Sequence, residues 1–472
     1  MAEPLWTLGE IVAATRGASF GAPERPVTGF SIDTRSIGAG EGFVAIRGPN
    51  RDGHAFVAAS LDQGAACAIV DNTFPPGDEE RLVRVGDTLE ALNDLGRASR
   101  ARATDTVVIA VTGSAGKTGT KEALKLALQP SGSVHASAKS FNNHWGVPLS
   151  LANMPKIVRF GVFEIGMNHA GEIDLLTRLV RPHIAIVTTV APVHLGFFRS
   201  LEDIADAKAE IFRGLEPNGT AIINRDNPHY QRLKDRALEH GAKIVGFGET
   251  PGAEARLIGV ELGPDGSDIT ADILGQTVRY RLGAAGRHLA QNSLAVLAAA
   301  KISGADLAAA ANALTALHAQ AGRGARMLIE AEGGSLAIID ESYNANPASM
   351  RAALATLGLT PRSAFSRRVA VLGDMLELGP EGAKLHQDLA EFIDGAGVDV
   401  VFACGELMGG LYEALPAGRR GAYAKTAEEL GPKLVGAVGP GDAIMVKGSL
   451  GSRMAPLVEA LKRRFGAEAA SA

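Results

Sequence analysis

An apolar run, Val107–Val111, passes at Thr112 into the stretch TGSAGKTGTK and then into a helical pattern, TKEALKLALQ. No other feature constrains the chain as much as this order of strand, glycine turn and helix. The flanking elements must belong to a layered α/β unit. The turn presents backbone N–H groups to an anion at the start of a helix. In that reading Gly113, Ser114, Ala115, Gly116 and Gly119 wrap a triphosphate. Lys117 reaches its outer charges, and the Thr118 hydroxyl ligates magnesium. The common form of this loop opens with a glycine where this chain has Val111, which argues against most GTPases and kinases. INRD, around Asn224, is not the guanine-reading NKxD, so ATP is the expected nucleotide. The alternative is a plain strand-to-helix turn with an exposed lysine.

The 472 residues correspond to about three domains at ~150 residues each. Their expected bounds are 1–103, 104–322 and 323–472. FVAIRG, CAIV and LVRV read as short strands of the first. Helices are expected near Leu8–Thr15 and Phe56–Gln63, and TLEALNDLGRASRARA as a helix leading onward. The second region alternates β and α, with the strands VVIAV, FGVFEI, IAIVTT and TAIIN apolar throughout, as in a parallel sheet buried on both faces. TADILGQTVRYRLG reads as antiparallel, and the alanine-rich HLAQNSLAVLAAAKISG as a long helix. HAQAGRGARM reads as a linker. A third βα series runs through LAIID, RRVAVLG, DVVFACG and AIMVKG. The fold class is therefore α/β throughout.

A net charge of −5 gives no electrostatic reason to expect nucleic acid. Cys67 and Cys404 form no CxxC and no disulfide framework, which fits a reducing compartment. No run of 18 apolar residues is present, and the amino terminus lacks the pattern of a signal peptide, so a cytoplasmic protein is expected.

Other candidate residues sit where strands end. Glu164 closes FGVFE, at the carboxyl end where open α/β sheets bind ligands. It is a metal ligand beside the phosphate loop, or a glutamate on a solvated edge. His194, past the strand IAIVTT, is a ligand or a structural histidine. Lys208 interrupts the helical stripe Leu201, Ile204, Ile211 and Leu215. A buried ammonium costs several kcal/mol unless paired. Lys208 therefore snorkels past the stripe, or it is held neutral enough to react with carbon dioxide and ligates a second magnesium ion as the carbamate. In IIDESYNANPASM a strand ends at Asp340 and a helix begins with Asn346 as N-cap and Pro347 at its first position. LGDMLELG and VKGSLGSRM place Asp374 and Lys447 toward the same face.

TGSAGKT, FNNHWGVPLSL, EIGMNHAGEI, HL…AKAEIF, IIDESYNANPASM, LGDMLELG and VKGS, in this order over nearly the whole chain, resemble the Mur ligases of peptidoglycan synthesis, in particular their dipeptide-adding branch. SIDTRSIGAGEGFVAIRGPNRDGHAF resembles the amino-terminal domain of that branch. The resemblance implies a UDP-substrate domain, a central ATPase domain with a mostly parallel sheet and a Rossmann-like third domain. It implies ATP and two magnesium ions held through Thr118, Glu164, His194 and a carbamylated Lys208. Lys117, Lys208 and His194 then serve catalysis. Asn292 contacts adenine, the linker arginine falls on Arg326, with Arg323 nearby, and Asp340 contacts ribose or a metal-bound water. The nucleotide-peptide falls on Ser31, Thr34, Arg35, Asn142 and Asn143, and the loop residues Tyr343, Asn344 and Asn346 face substrate. The implied partners are UDP-N-acetylmuramoyl-tripeptide and D-alanyl-D-alanine, with the enzyme a monomer. The chain departs from the family pattern at Thr189, where an asparagine is usual, at Gly196, where a glutamate often stands, and at NNHWGVP. Two alternatives remain, another amide ligase such as a folylpolyglutamate synthase, and a nucleotide switch that makes no amide.

Overall fold

The computed structural model describes residues 4–138, 140–193, 195–331 and 333–469. Three sheets carry the architecture of these residues. The first is a four-stranded parallel sheet, Phe30–Ser31, Gly42–Val44, Cys67–Asp71 and Leu82–Val85 in spatial order. FVAIRG forms a shorter strand than its composition suggests. The backbone turns back after Val44, with Gly48 N–H donating to Arg51 and Gly53 N–H to Ile46. A side chain on Gly53 would strike the Ile46 backbone.

The second sheet has nine strands. Its parallel part runs, from the edge inward, Val134–Ala136, Phe160–Glu164, Val107–Thr112, Ile184–Val187, Thr220–Asn224 and Lys243–Gly248. It continues into Ala255–Gly263, Gly266–Ile273 and Gln276–Leu282, the last two forming the expected antiparallel hairpin. Leu274 and Gly275, both with positive φ, make its two-residue turn. Helices cover both faces, which is why the inner strands are apolar at almost every position. Lys117–Leu128 packs with the alanine-rich Arg287–Ile302 on one face. Glu172–Val180 and Leu201–Ala209 pack on the other.

The third sheet orders Ala325–Ala331, Gly334–Glu341, Asp442–Lys447, Arg367–Gly373, Val400–Cys404 and Arg420–Ala424, parallel except for the first pair. The chain leaves a gap beside Gly334–Glu341 and fills it last with Asp442–Lys447. Pro347–Gly358 and Glu406–Ala414 therefore lie on one face, and Ala427–Val435 and Ala455–Ala469 on the other.

The first two units share core. Thr88–Arg102 packs on Gly146–Ala152, and Leu149 and Ala152 complete the hydrophobic cluster of the amino-terminal region. The Trp6 indole donates to Ala152 O at 2.8 Å. The Asn153 amide accepts from Phe30 N–H and donates to Phe30 O, as a further backbone strand would.

Candidate active site

The strand Val107–Thr112 delivers the glycine loop to the carboxyl edge of the nine-stranded sheet, where the helix Lys117–Leu128 starts. Val111 is fully buried within the strand, so the loop opens instead at Gly113, with φ +151°. A β-carbon there would lie 1.9 Å from Thr188 Oγ1. At Gly116, φ +84°, it would lie 2.6 Å from Asn292 Nδ2. Both positions favour glycine conformationally, Gly113 also sterically against Thr188, whereas at Gly116 the Asn292 carboxamide alone would have to move. Replacing Gly113 by alanine is expected to weaken ATP binding by about tenfold or more, since the loop must open to admit a methyl group. Calorimetric titration of the folded variant checks this, and an unchanged affinity would contradict it.

The loop is held by its neighbour strand. Ser114 N–H donates to Thr189 O at 2.8 Å, Thr188 Oγ1 donates to Ala115 O at 2.6 Å, and Ser114 Oγ donates to Ala191 O at 3.0 Å. Thr189 and its neighbours are braced by carboxamides from further along the chain. Asn227 Nδ2 donates to Thr189 Oγ1 at 3.0 Å and Val190 O at 2.9 Å, and Asn224 Nδ2 to Thr188 O at 3.1 Å. Of the two, only Asn224 enters the sequence reading, within the INRD that excludes guanine, and Asn227 is not singled out.

Lys117 Nζ donates to Gly113 O at 2.7 Å. Burial pushes its ammonium below the ordinary lysine value. The Glu164 carboxylate opposes this, and the Arg323 charge adds to it. Glu164 is buried, with Thr118 Oγ1 donating to one carboxylate oxygen at 2.8 Å and Asn142 Nδ2 to the other at 2.7 Å. Phosphate-loop hydroxyl, strand-end carboxylate and Asn142 thus form one cluster. Lys208, at the carboxyl end of Leu201–Ala209, is 2% exposed, which removes the snorkelling alternative. Its ammonium makes no hydrogen bond or ion pair among the described residues. Burial, reinforced by the Lys117 charge, drives its pKa well below that of ordinary lysine. His194 lies outside the described residues.

A cleft of about 570 Å³ joins this edge to the third domain. Ser114 to Gly119, Asn142, Asn143, Glu164 and Asn292 line it from the central domain. Tyr343, Asn344, Asn346 and Lys447 line it from the third. The Asn346 carboxamide bridges the two, donating to Ser114 O at 3.4 Å.

Of the expected nucleotide contacts, Arg326 and Asp340 do not line the cleft. Arg326 pairs with Asp265 and lies over the Phe365 ring. Arg323 takes its place, stacked 4.0 Å from the Tyr343 ring centroid and donating to Ser140 Oγ at 3.1 Å. The three-residue separation decides this, because Arg326 already belongs to an edge strand while Arg323 is still in the connecting turn. Asp340 faces its own backbone, accepting from Gly322 N–H at 2.8 Å, Ser342 N–H at 3.1 Å and Ser342 Oγ at 2.6 Å. Strand alternation sends the next residue, Glu341, to the cleft, where it accepts from Lys447 Nζ at 3.0 Å. His288, from the central domain, also lines the cleft. Burial holds its imidazole below the usual pKa, with Glu341 and Lys447 as its charged neighbours.

Asp374, at the same carboxyl edge of the sheet as Lys447, does not line this cleft. Its carboxylate accepts from Leu407 and Met408 N–H and so caps the helix Glu406–Ala414. Ser31, Thr34 and Arg35 lie in the amino-terminal domain, outside the cleft lining. Ser31 Oγ is engaged with the Asp33 backbone, and Arg35 with the Asp33 carboxylate.

Known proteins resemble the chain over most of its length. The profile of the Mur ligase middle domain matches residues 111–300, and that of the Mur ligase glutamate ligase domain matches 322–450. A UDP-N-acetylmuramoyl-tripeptide–D-alanyl-D-alanine ligase of Rickettsia prowazekii is 33% identical, across 91% of this chain and 94% of its own length. The crystal structure of MurF from Acinetobacter baumannii superposes with a TM-score of 0.85 at 31% identity, covering 98% of this chain and all of the other. MurF ligase from Thermotoga maritima, solved in complex with ADP, gives 0.77 at 25% identity, covering 93% and 98%.

Proposed function

The chain belongs to the Mur ligase family, and from that premise we propose that it joins D-alanyl-D-alanine to UDP-N-acetylmuramoyl-tripeptide at the expense of ATP, in peptidoglycan precursor synthesis. The observation that carries the reading is the single cleft in which the phosphate loop and Glu164 face the Tyr343–Asn346 loop and Lys447 of the third domain. The names of the relatives supply the substrates.

The terminal carboxylate of the nucleotide-peptide attacks the γ-phosphorus of ATP and ADP departs, leaving an acyl phosphate. The dipeptide amine attacks its carbonyl carbon, phosphate leaves, and the amine proton passes to solvent. Lys117 turns from Gly113 O to the transferring phosphoryl group and offsets its charge. Asn142 and the phosphate-loop amides fix the reacting groups in line. Asn346, bonded to the Ser114 carbonyl, closes the third domain over them and excludes water from the acyl phosphate. Thr118 and Glu164, with His194 and Lys208, would hold magnesium, whose charge would assist that of Lys117. A carbamate on Lys208 would offer such ions an anion in place of a buried ammonium that has no partner among the described residues.

The experiment is competition among D-alanine, L-alanine and D-alanyl-D-alanine with one nucleotide-peptide acceptor, read as ADP release. The dipeptide is expected to have the highest kcat/KM. A single amino acid that exceeded it would move the chain to another branch of the family. ADP release without any amine product would favour the nucleotide switch.

A further inference from the structure

Resting on the proposed function, the nucleotide-peptide site is divided between two domains. Ser31, Thr34 and Arg35 belong to the amino-terminal domain, and Asn142 and Asn143 stand at the cleft. The two halves hold one substrate only if the distance between them is fixed. The helix Gly146–Ala152 is placed to fix it. Asn153, just past its end, bonds both backbone groups of Phe30, the neighbour of Ser31. Trp145, just before its start, reaches another part of the same domain.

Trp145 is half-buried and packs on the amino-terminal hydrophobic cluster. The outer edge of its indole lies against Gly48. A β-carbon on Gly48 would sit 2.9 Å from Cη2 and 3.5 Å from Cζ2 of the ring. The loop that carries Gly48 is a firm support. Gly48 N–H donates to Arg51 O at 2.8 Å, and Arg47 pairs with Asp71 at 2.8 Å and with Asp52 at 3.3 Å. His54 Nε2 accepts from Asp71 N–H at 3.0 Å, which leaves Nδ1–H to donate to the Asp52 carboxylate at 2.6 Å.

On its other side Trp145 continues the turn that reaches the phosphate loop. The Asn143 carboxamide oxygen accepts from Trp145 N–H at 3.2 Å and from Gly146 N–H at 2.9 Å, so the Asn143 side chain is tied to the backbone that carries the indole. Asn142 O accepts from Gly166 N–H at 2.8 Å, and Asn142 Nδ2 holds Glu164. Arg323 bonds Ser140 Oγ in the same turn. Residues 140–145 are thus touched by the amino-terminal loop, by the Glu164 strand end and by the connection to the third domain. The phosphate loop itself is braced separately, through Thr188, Thr189 and Ala191.

We propose that Trp145 is a positioning residue for the nucleotide-peptide. Its indole rests on Gly48 and through that contact holds Asn142 and Asn143 in register with the amino-terminal half of the site. A rigid, two-ring side chain spans the junction, and an aliphatic one is too short to do so.

The test uses the full-length protein, with Trp145→Leu, Trp145→Phe, Gly48→Ala and the double variant Gly48→Ala with Trp145→Leu. Trp145→Leu is expected to raise KM for the nucleotide-peptide by about tenfold, as misplaced positioning groups do. KM for ATP and for the dipeptide should stay within about twofold, because their contacts lie elsewhere. Trp145→Phe keeps part of the reach and should recover part of the loss. Gly48 lies outside the left-handed region, so alanine meets no backbone strain there, and its methyl group must displace the indole. Gly48→Ala should therefore raise the same KM with Trp145 still in place, and it carries the test if Trp145→Leu does not fold. With leucine at 145 the methyl group has room, so the two changes should be non-additive. Fluorescence gives a readout apart from turnover. The chain has two tryptophans, and Trp6 is only 2% exposed. The nucleotide-peptide should change the emission of the unaltered protein and leave that of Trp145→Leu unchanged. An unaltered nucleotide-peptide KM in Trp145→Leu or in Gly48→Ala, whatever the melting temperature, would make Trp145 a packing residue and overturn the proposal while the ligase reading stands. Equal rises in KM for all three substrates would overturn it too. Failure of the unaltered protein to use the nucleotide-peptide at all overturns both.

Discussion

Lys117→Ala is expected to lower kcat by about three orders of magnitude at saturating ATP, the scale on which removal of a preorganised charge from a phosphoryl-transfer site acts. Its melting temperature should hardly change. The folded protein uses this side chain for one bond to its own loop, Nζ to Gly113 O at 2.7 Å, and burial already disfavours its charge. An alanine removes an ammonium that no carboxylate among the described residues bonds directly, so stability has little to lose. Catalysis loses the cation that compensates the γ-phosphoryl group as it is transferred. The two effects separate the phosphate-loop reading from a structural one. Turnover within a few fold of the unaltered protein would refute the assignment, and collapse of the fold would show Lys117 to be a packing residue. The measurement pairs steady-state ADP release with thermal melting of the same preparation.

How far the sequence could be read depended on the range of the interaction. The phosphate loop was legible because its determinants are consecutive: an apolar strand, two glycines and a helix start lie within about fifteen residues. The strands of the central and third sheets were legible for the same reason, since burial on both faces leaves an uninterrupted apolar run. Lys208 was legible as an anomaly in a helical stripe, and its burial explains why the anomaly matters.

What escaped is decided by side-chain direction. Asp340 and Glu341 are adjacent, and nothing in DES says which carboxylate will bond the Gly322 amide and which will meet Lys447. Arg323 and Arg326 differ by three residues, yet one is in a turn over Tyr343 and the other is paired with Asp265 on a strand. Asp374 follows a strand, as Lys447 closes one, but a neighbouring helix start captures it. The amides of Asn224 and Asn227, which brace the phosphate loop, come from a strand and turn about 110 residues further along. Long-range register of that kind is a property of the packed sheet.

Lys208→Ala is expected to abolish activity while leaving the protein folded, and a short-chain carboxylic acid in the assay should restore part of the rate. The argument starts from the cost of the unmodified residue. An ammonium at 2% exposure, with no partner among the described residues and with the Lys117 charge nearby, is disfavoured, so the neutral amine is more accessible than in an ordinary lysine. A neutral amine is the form that adds carbon dioxide. Its lone pair attacks the carbon, a proton is released, and the product is a carbamate anion. The anion would relieve the burial penalty only with a cation beside it, which the phosphate-loop hydroxyl Thr118 and the carboxylate of Glu164 would help to hold. Alanine removes the ammonium as well as the carbamate, so the folded state loses a strained charge and gains a small cavity, two terms of opposite sign. The melting temperature should therefore stay within a few degrees. Labelled bicarbonate offers a readout independent of turnover. A carbamate carbon resonance should appear in the unaltered protein and be missing from Lys208→Ala. Full activity in the variant, or no such resonance in an active unaltered enzyme, would return Lys208 to the role of an ordinary buried lysine.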